Sequence, residues 1–130
     1  MRSVLMLFLL LTAIVPAAVL GQHGGKAEPK RIVFATGKSS MTVTGSLSNG
    51  QEMEYVFAGT KDQIITIRNS NRNLFDFRVF SDEFGLETEF DSSPAATFPL
   101  PGTGDYMFFV RKKQVSSPRR ARFLLTLTIQ

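Results

Sequence analysis

The sequence predicts an all-β fold, a single antiparallel, jelly-roll-like β-sandwich of about eight strands. Three observations carry it. Apolar and polar residues alternate at period two along most of the chain, the mark of half-buried strands. Clusters of Gly, Pro, Asn, Asp and Ser interrupt the alternation about every 8–12 residues, the rhythm of an antiparallel sandwich. Beyond the N-terminal apolar run, no segment carries a helical apolar stripe.

The elements follow in order. Val4 to Val15 is an apolar run behind Arg2, broken by Pro16 and followed by small residues through Gly21. It is shorter than the ~20 residues of a bilayer-spanning helix. Residues 1–21 therefore read as a signal peptide, cleaved after Gly21 or as early as Ala18, with no membrane attachment after cleavage. Residues 22–30 are aperiodic and contain Gly, Lys and Pro, the composition of a flexible tail. The sandwich domain is then expected over 31–130.

Arg31 to Ala35 is β-rich, and Met41 to Thr44 alternates. Gln51 to Ala58 sets Met53, Tyr55 and Phe57 on one face, and Gln63 to Asn69 is rich in Ile and Thr. Leu74 to Phe80 opposes Phe75, Phe77 and Val79 to Asp76 and Arg78. Glu87 and Glu89 read as the solvent face of a short strand. Tyr106, Phe108 and Val110 share one face, and Phe123, Leu125, Leu127 and Ile129 share another. Between them stand turns of known chemistry, such as Ser48-Asn49-Gly50, Asp91-Ser92-Ser93-Pro94 and Pro101-Gly102-Thr103-Gly104.

The chain has no cysteine. An exported domain without disulfides must hold itself by apolar burial. Eleven of its twelve Phe lie beyond residue 21, and each buried ring contributes roughly 1.5–3 kcal/mol. A cysteine-free exported chain also suits a bacterial envelope, hence an exported protein, periplasmic or secreted.

Catalytic chemistry finds few supports. The single histidine, His23, lies in the tail, so no histidine is left in the sandwich for a general base or a metal site. Thiol chemistry needs a cysteine. Asp82, Glu83, Glu87, Glu89 and Asp91 lie close in sequence, but without the alternating spacing around a central Gly of a calcium loop. The reading is a non-enzymatic protein with no cofactor and no metal.

The strongest polar feature is basic. Arg111, Lys112, Lys113, Arg119, Arg120 and Arg122 fall within twelve residues. With Arg2 removed, 14 basic against 11 acidic residues give a net charge of +3. This is mild, and the Phe-dominated aromatics read as core rather than as a base-stacking platform, so nucleic acid is not expected as partner. Two readings remain: a charged loop that protects a sheet edge, and a docking surface for an acidic partner. The loop follows the rigid turn Phe98 to Tyr106, and turn and loop together suggest a binding element.

Two stretches, taken together, resemble a known family. One is Phe34-Ala35-Thr36-Gly37-Lys38-Ser39-Ser40 with Gly45-Ser46-Leu47 and Tyr55-Val56-Phe57-Ala58. The other is Leu100-Pro101-Gly102-Thr103-Gly104-Asp105-Tyr106, with Val110, a basic loop and the closing Leu125 to Ile129. Their layout, from Ile32 to Ile129, is similar to bacterial pre-peptidase C-terminal domains, small jelly-roll-like sandwiches. Gly37-x-Ser39-Ser40 resembles, more narrowly, the periplasmic inhibitors of goose-type lysozyme. The resemblance implies a non-catalytic protein whose partner is a protein, a goose-type lysozyme, with the enzyme cleft plugged by a turn and a basic loop. Thr103, Gly104 and Tyr106 match the turn, Arg111, Arg119, Arg120 and Arg122 stand in the basic-loop region, and Ser39 and Ser40 complete the candidate site. The loop is shorter than in the family and holds Ser116-Ser117-Pro118, so the arginines are not paired one by one. Asp62 stands where the family has Gly, a position Asp tolerates in the left-handed conformation. The alternative is a pre-peptidase C-terminal-like module that binds an envelope protein or a polysaccharide; the lack of Trp weighs against the glycan.

Overall fold

In the computed structural model, residues 29–130 are described. The signal-peptide reading, His23 and the tail up to residue 28 lie outside the described residues. Nine strands follow: β1 Lys30–Arg31, β2 Ser40–Ser48, β3 Glu52–Gly59, β4 Ile64–Asn69, β5 Phe75–Ser81, β6 Leu86–Glu87, β7 Ala95–Pro99, β8 Gly104–Lys112 and β9 Arg120–Ile129. They form two packed sheets, one of five strands in the order β1-β3-β8-β5-β6, the other of four in the order β2-β9-β4-β7. All pairs are antiparallel except β1 with β3.

The alternation of the sequence becomes the inside and outside of these sheets. Tyr55 and Phe57 on β3, Phe75, Phe77 and Val79 on β5, and Tyr106, Phe108 and Val110 on β8 point inward. They meet Ile65 and Ile67 of β4 and Phe123, Leu125, Leu127 and Ile129 of β9. Ring contacts knit the layer, with Phe75 edge-on to Phe123 across the two sheets at 5.7 Å. Burial of this many large side chains, at roughly 1.5–3 kcal/mol each, supplies the cohesion that many small exported domains take from disulfides.

Three details depart from the sequence expectation. Lys30, placed at the end of the tail, opens β1 by pairing with Tyr55, while most of the run from Arg31 to Ala35 is not strand. β7 is a ninth strand beyond the eight expected, and it takes in Phe98 and Pro99 from the stretch expected as a rigid turn; its Pro99 is tolerated because β7 is the edge of its sheet. Asp76, expected on a solvated face, is buried. The left-handed position foreseen for Asp62 is observed, with φ at 72°.

Candidate functional site

The strands decide where the candidate residues stand. Gly104 opens β8 opposite Gly59 of β3, and Arg111 near its far end faces Glu52. Nine residues of strand separate the two ends of β8 by about 26 Å at ~3.3 Å per residue. On β2, Ser40 pairs with Thr128 and Ser48 with Arg120. The turn after Ser48 leads directly into Glu52, so Ser48, Glu52, Arg111 and Arg120 share one end of the sandwich. Ser39, Ser40, Thr103 and Gly104 lie at the other. The structure therefore does not bring the nine candidate residues together.

At the serine end, Tyr106 is fully buried. Its hydroxyl donates to the Gly102 carbonyl and accepts from the Gly102 N–H at 3.0 Å. Its ring stacks on Phe57 at 5.5 Å and tilts against Phe84 at 5.4 Å. This tyrosine fastens the turn to the core, and its side chain cannot also reach a partner; the role expected of it is corrected on that ground. Gly102 is required here, since a Cβ would lie 2.3 Å from the Phe84 ring. Thr103 is exposed, and its Oγ1 accepts the Lys61 N–H at 2.9 Å. Ser40 Oγ is bonded to Thr128 Oγ1 at 2.8 Å. Gly104 lies opposite Gly59. Ser39 is exposed, and its carbonyl accepts from Ile129.

The other end is built differently. Arg111 makes two hydrogen bonds to the Asp76 carboxylate, at 3.1 and 2.7 Å, and lies 3.8 Å above the Phe90 ring. The hydrogen bond to Asp76 holds the Arg111 guanidinium above its ordinary pKa. Its charge is answered inside the fold, which sets it apart from the other three arginines.

Lys112 is completely buried, and its Nζ donates to Asn49 Oδ1 and to the Lys113 carbonyl, both at 2.8 Å. Asn49 in turn donates from Nδ2 to the Val115 carbonyl at 2.7 Å and from its backbone to the Arg119 carbonyl at 2.9 Å. Gly50 N–H reaches the Lys112 carbonyl at 2.9 Å, and Lys113 Nζ reaches the Arg72 carbonyl at 2.8 Å. The loop from Lys113 to Arg119 is thus pinned at both ends by the β2–β3 turn. Arg119, Arg120 and Arg122 are exposed beside it. Arg120 donates to Ser48 Oγ at 3.2 Å, and Arg122 stands opposite Ser46. These three arginines are the part of the candidate set that the fold does gather.

Lys112, Asn49 and Asp76 were missed by sequence reasoning. A signal for Lys112 existed: it continues the inward series Tyr106, Phe108, Val110 by two residues. Asn49 showed itself only as turn chemistry, and nothing local marks Asp76 as buried.

Among the described residues, no group of three His, Asp or Glu side chains could hold a metal ion. Asp82 and Glu83 are exposed on the turn after β5, while Glu87 belongs to β6.

No family model and no curated protein matches the sequence. Solved structures do match. PliG of Aeromonas hydrophila, a periplasmic lysozyme inhibitor of g-type lysozyme, superposes with a TM-score of 0.65 at 22% identity, covering 78% of this chain and 96% of that one. PliG of Salmonella Typhimurium gives 0.65 at 18% identity, covering 81% and 100%. The pre-peptidase C-terminal domain of a Bacillus anthracis collagenase gives 0.53 at 18% identity, covering 82% and 98%. The chain has the fold of these proteins. Nearly the whole length of each is matched, so the sandwich is shared as a complete unit.

Proposed function

We propose that this is an exported, non-catalytic protein that inhibits a g-type lysozyme by seating its arginine end in the enzyme's cleft. The observation that carries the reading is the pinned loop: three exposed arginines at a rim whose backbone is already fixed by Lys112 and Asn49. A pre-organised loop loses little conformational entropy on binding. Enzymes that cleave glycosidic bonds carry paired carboxylates in their clefts, and arginine donates to carboxylates in charge-assisted, often bidentate hydrogen bonds. The shared fold with PliG supports the choice of enzyme class, since those structures are described as inhibitors of g-type lysozyme. A periplasmic location is proposed on the same ground, together with the signal-peptide reading.

In this reading Arg119, Arg120 and Arg122 contact the enzyme. Arg111 supports the rim from the neighbouring sheet, and the serine end, with Ser39, Ser40, Thr103 and Gly104, stays outside the contact. The test is cell-wall lysis by g-type lysozyme titrated with the purified protein, with chicken-type and invertebrate-type lysozymes alongside. Inhibition of the g-type enzyme that weakens as salt is raised is expected, because exposed charges are screened. Lysis unchanged in all three by micromolar protein would overturn the proposal.

A further inference from the structure

Along one side the two sheets are out of step. Asn49, Gly50 and Gln51 carry the chain from β2 directly to β3 in the other sheet. A Cβ on Gly45 would lie 3.5 Å from the Met53 methyl, so β2 lies over β3. The five-stranded sheet continues past β3 to β1, whereas the four-stranded sheet stops at β2. The place above β1 is one strand wide and open. We infer that it is a docking groove for an extended peptide segment of another protein. The segment adds to β2 as a further strand and carries an acidic side chain two residues before an apolar one.

Hydrogen bonds at both ends of β2 fix which backbone groups are spare. The Ile129 N–H reaches the Ser39 carbonyl, and the Asn49 N–H reaches the Arg119 carbonyl. The odd-numbered residues therefore face β9. Ser40, Thr42, Thr44 and Ser46 turn their N–H and C=O groups to the open side, and among the described residues no backbone hydrogen bond reaches them. Sheet edges are usually blunted by charge, by proline or by shortness. β1 and β6 have two residues each, and β7 has five, ending in Pro99. β2 has nine, with no proline and no charged residue.

The lining of the groove says what the occupant carries. Ile32, Val43 and Tyr55 are buried along it, and Met41 is exposed at its rim. Lys30 pairs in register with Tyr55 and so points to the same side. It is exposed and has no ion pair among the described residues. No carboxylate lines the groove. A strand antiparallel to β2 runs in the direction of β1, because β1 is parallel to β3. It passes Lys30 before Ile32, which sets the order of acid and apolar residue. A second copy is not the occupant: pairing β2 with β2 would set the other copy's β3 where β1 stands.

The test needs no lysozyme. The probe is the acetylated peptide Thr-Asp-Thr-Val-Thr-Val-Thr, whose threonines fall opposite Ser46, Thr44, Thr42 and Ser40. In an NMR titration the amides of those four residues should shift, and their hydrogen exchange should slow. Lys30→Glu should weaken binding by about tenfold, since it turns an attraction into a repulsion. The same peptide N-methylated at its threonines should not bind. Thr44→Pro should lose binding with circular dichroism unchanged, because an edge strand tolerates proline where its N–H faces outward. Four amides that stay unmoved at millimolar peptide overturn the inference. So does an N-methylated peptide that binds as well as the parent, which reads the point without any variant having to fold. Shifts of these amides that follow protein concentration without peptide would assign the edge to a second copy and overturn it too.

Discussion

Lys112 holds a charge inside the fold with two neutral oxygens, those of Asn49 and Lys113. Replacing it by Met keeps the length of the side chain but leaves both acceptors without their donor. Buried groups so stranded cost about 1–3 kcal/mol, and that loss is expected for Lys112→Met in urea unfolding. Amide exchange over 113–119 should quicken at the same time, since the lysine is what ties the loop down. At the opposite end, Tyr106→Phe removes two hydrogen bonds to Gly102. It should lower stability by about 1–2 kcal/mol and leave lysozyme inhibition as it was. A third residue-scale expectation concerns acid. Arg31 hydrogen-bonds the Asp105 carboxylate and holds its pKa below the ordinary value. A depressed carboxyl contributes stability above its unfolded pKa and loses it as pH falls through the folded one. Both groups are exposed, so the contribution is small. An NMR titration should place Asp105 below an ordinary aspartate, and Arg31→Gln should return it.

Among elements, β3 and β8 show how tightly the sheets are set. Gly59 ends β3, and a Cβ there would lie 2.3 Å from Leu100 Cδ1, in a fully buried side chain. Gly59→Ala should therefore destabilise the protein by about 1–3 kcal/mol in thermal or urea unfolding, as overpacked cores do. The strands with strict alternation, β3, β4, β5, β8 and β9, were legible from the chain because period two encodes one buried face. β7 was not. Ala95, Ala96 and Thr97 between Pro94 and Pro99 carry weak β signals, and the strand exists because Ile64 to Arg68 offer it an edge. The β-rich run Arg31 to Ala35 overlaps β1 only at Arg31, because the bounds of β1 are set by its long-range parallel pairing with Tyr55 and Val56. Asp76 alternates as an outward residue should, and it does face outward. Arg111 bonds its carboxylate and Phe90 lies against that arginine, which no local pattern announces.

For the whole molecule, the fold was more legible than the site. Thr103 to Tyr106 and Arg111 are near in sequence, and that nearness suggested one binding edge. The strand between them carries the chain from one end of the sandwich to the other, so Gly104 and Arg111 on β8 stand about 23 Å apart at ~3.3 Å per residue. Arg119, Arg120 and Arg122 escape this because they enter β9 together, at the end where Ser48 lies. The proposed inhibition turns on which end of the sandwich enters the cleft. The direct measurement compares inhibition constants against g-type lysozyme for the parent protein and two triple variants. Arg119→Ala/Arg120→Ala/Arg122→Ala should weaken inhibition by about a hundredfold or more, near 2.7 kcal/mol. Ser39→Ala/Ser40→Ala/Thr103→Ala should stay within about twofold of the parent, a few tenths of a kcal/mol. The reverse pattern, or an arginine variant that inhibits as well as the parent, would contradict the account.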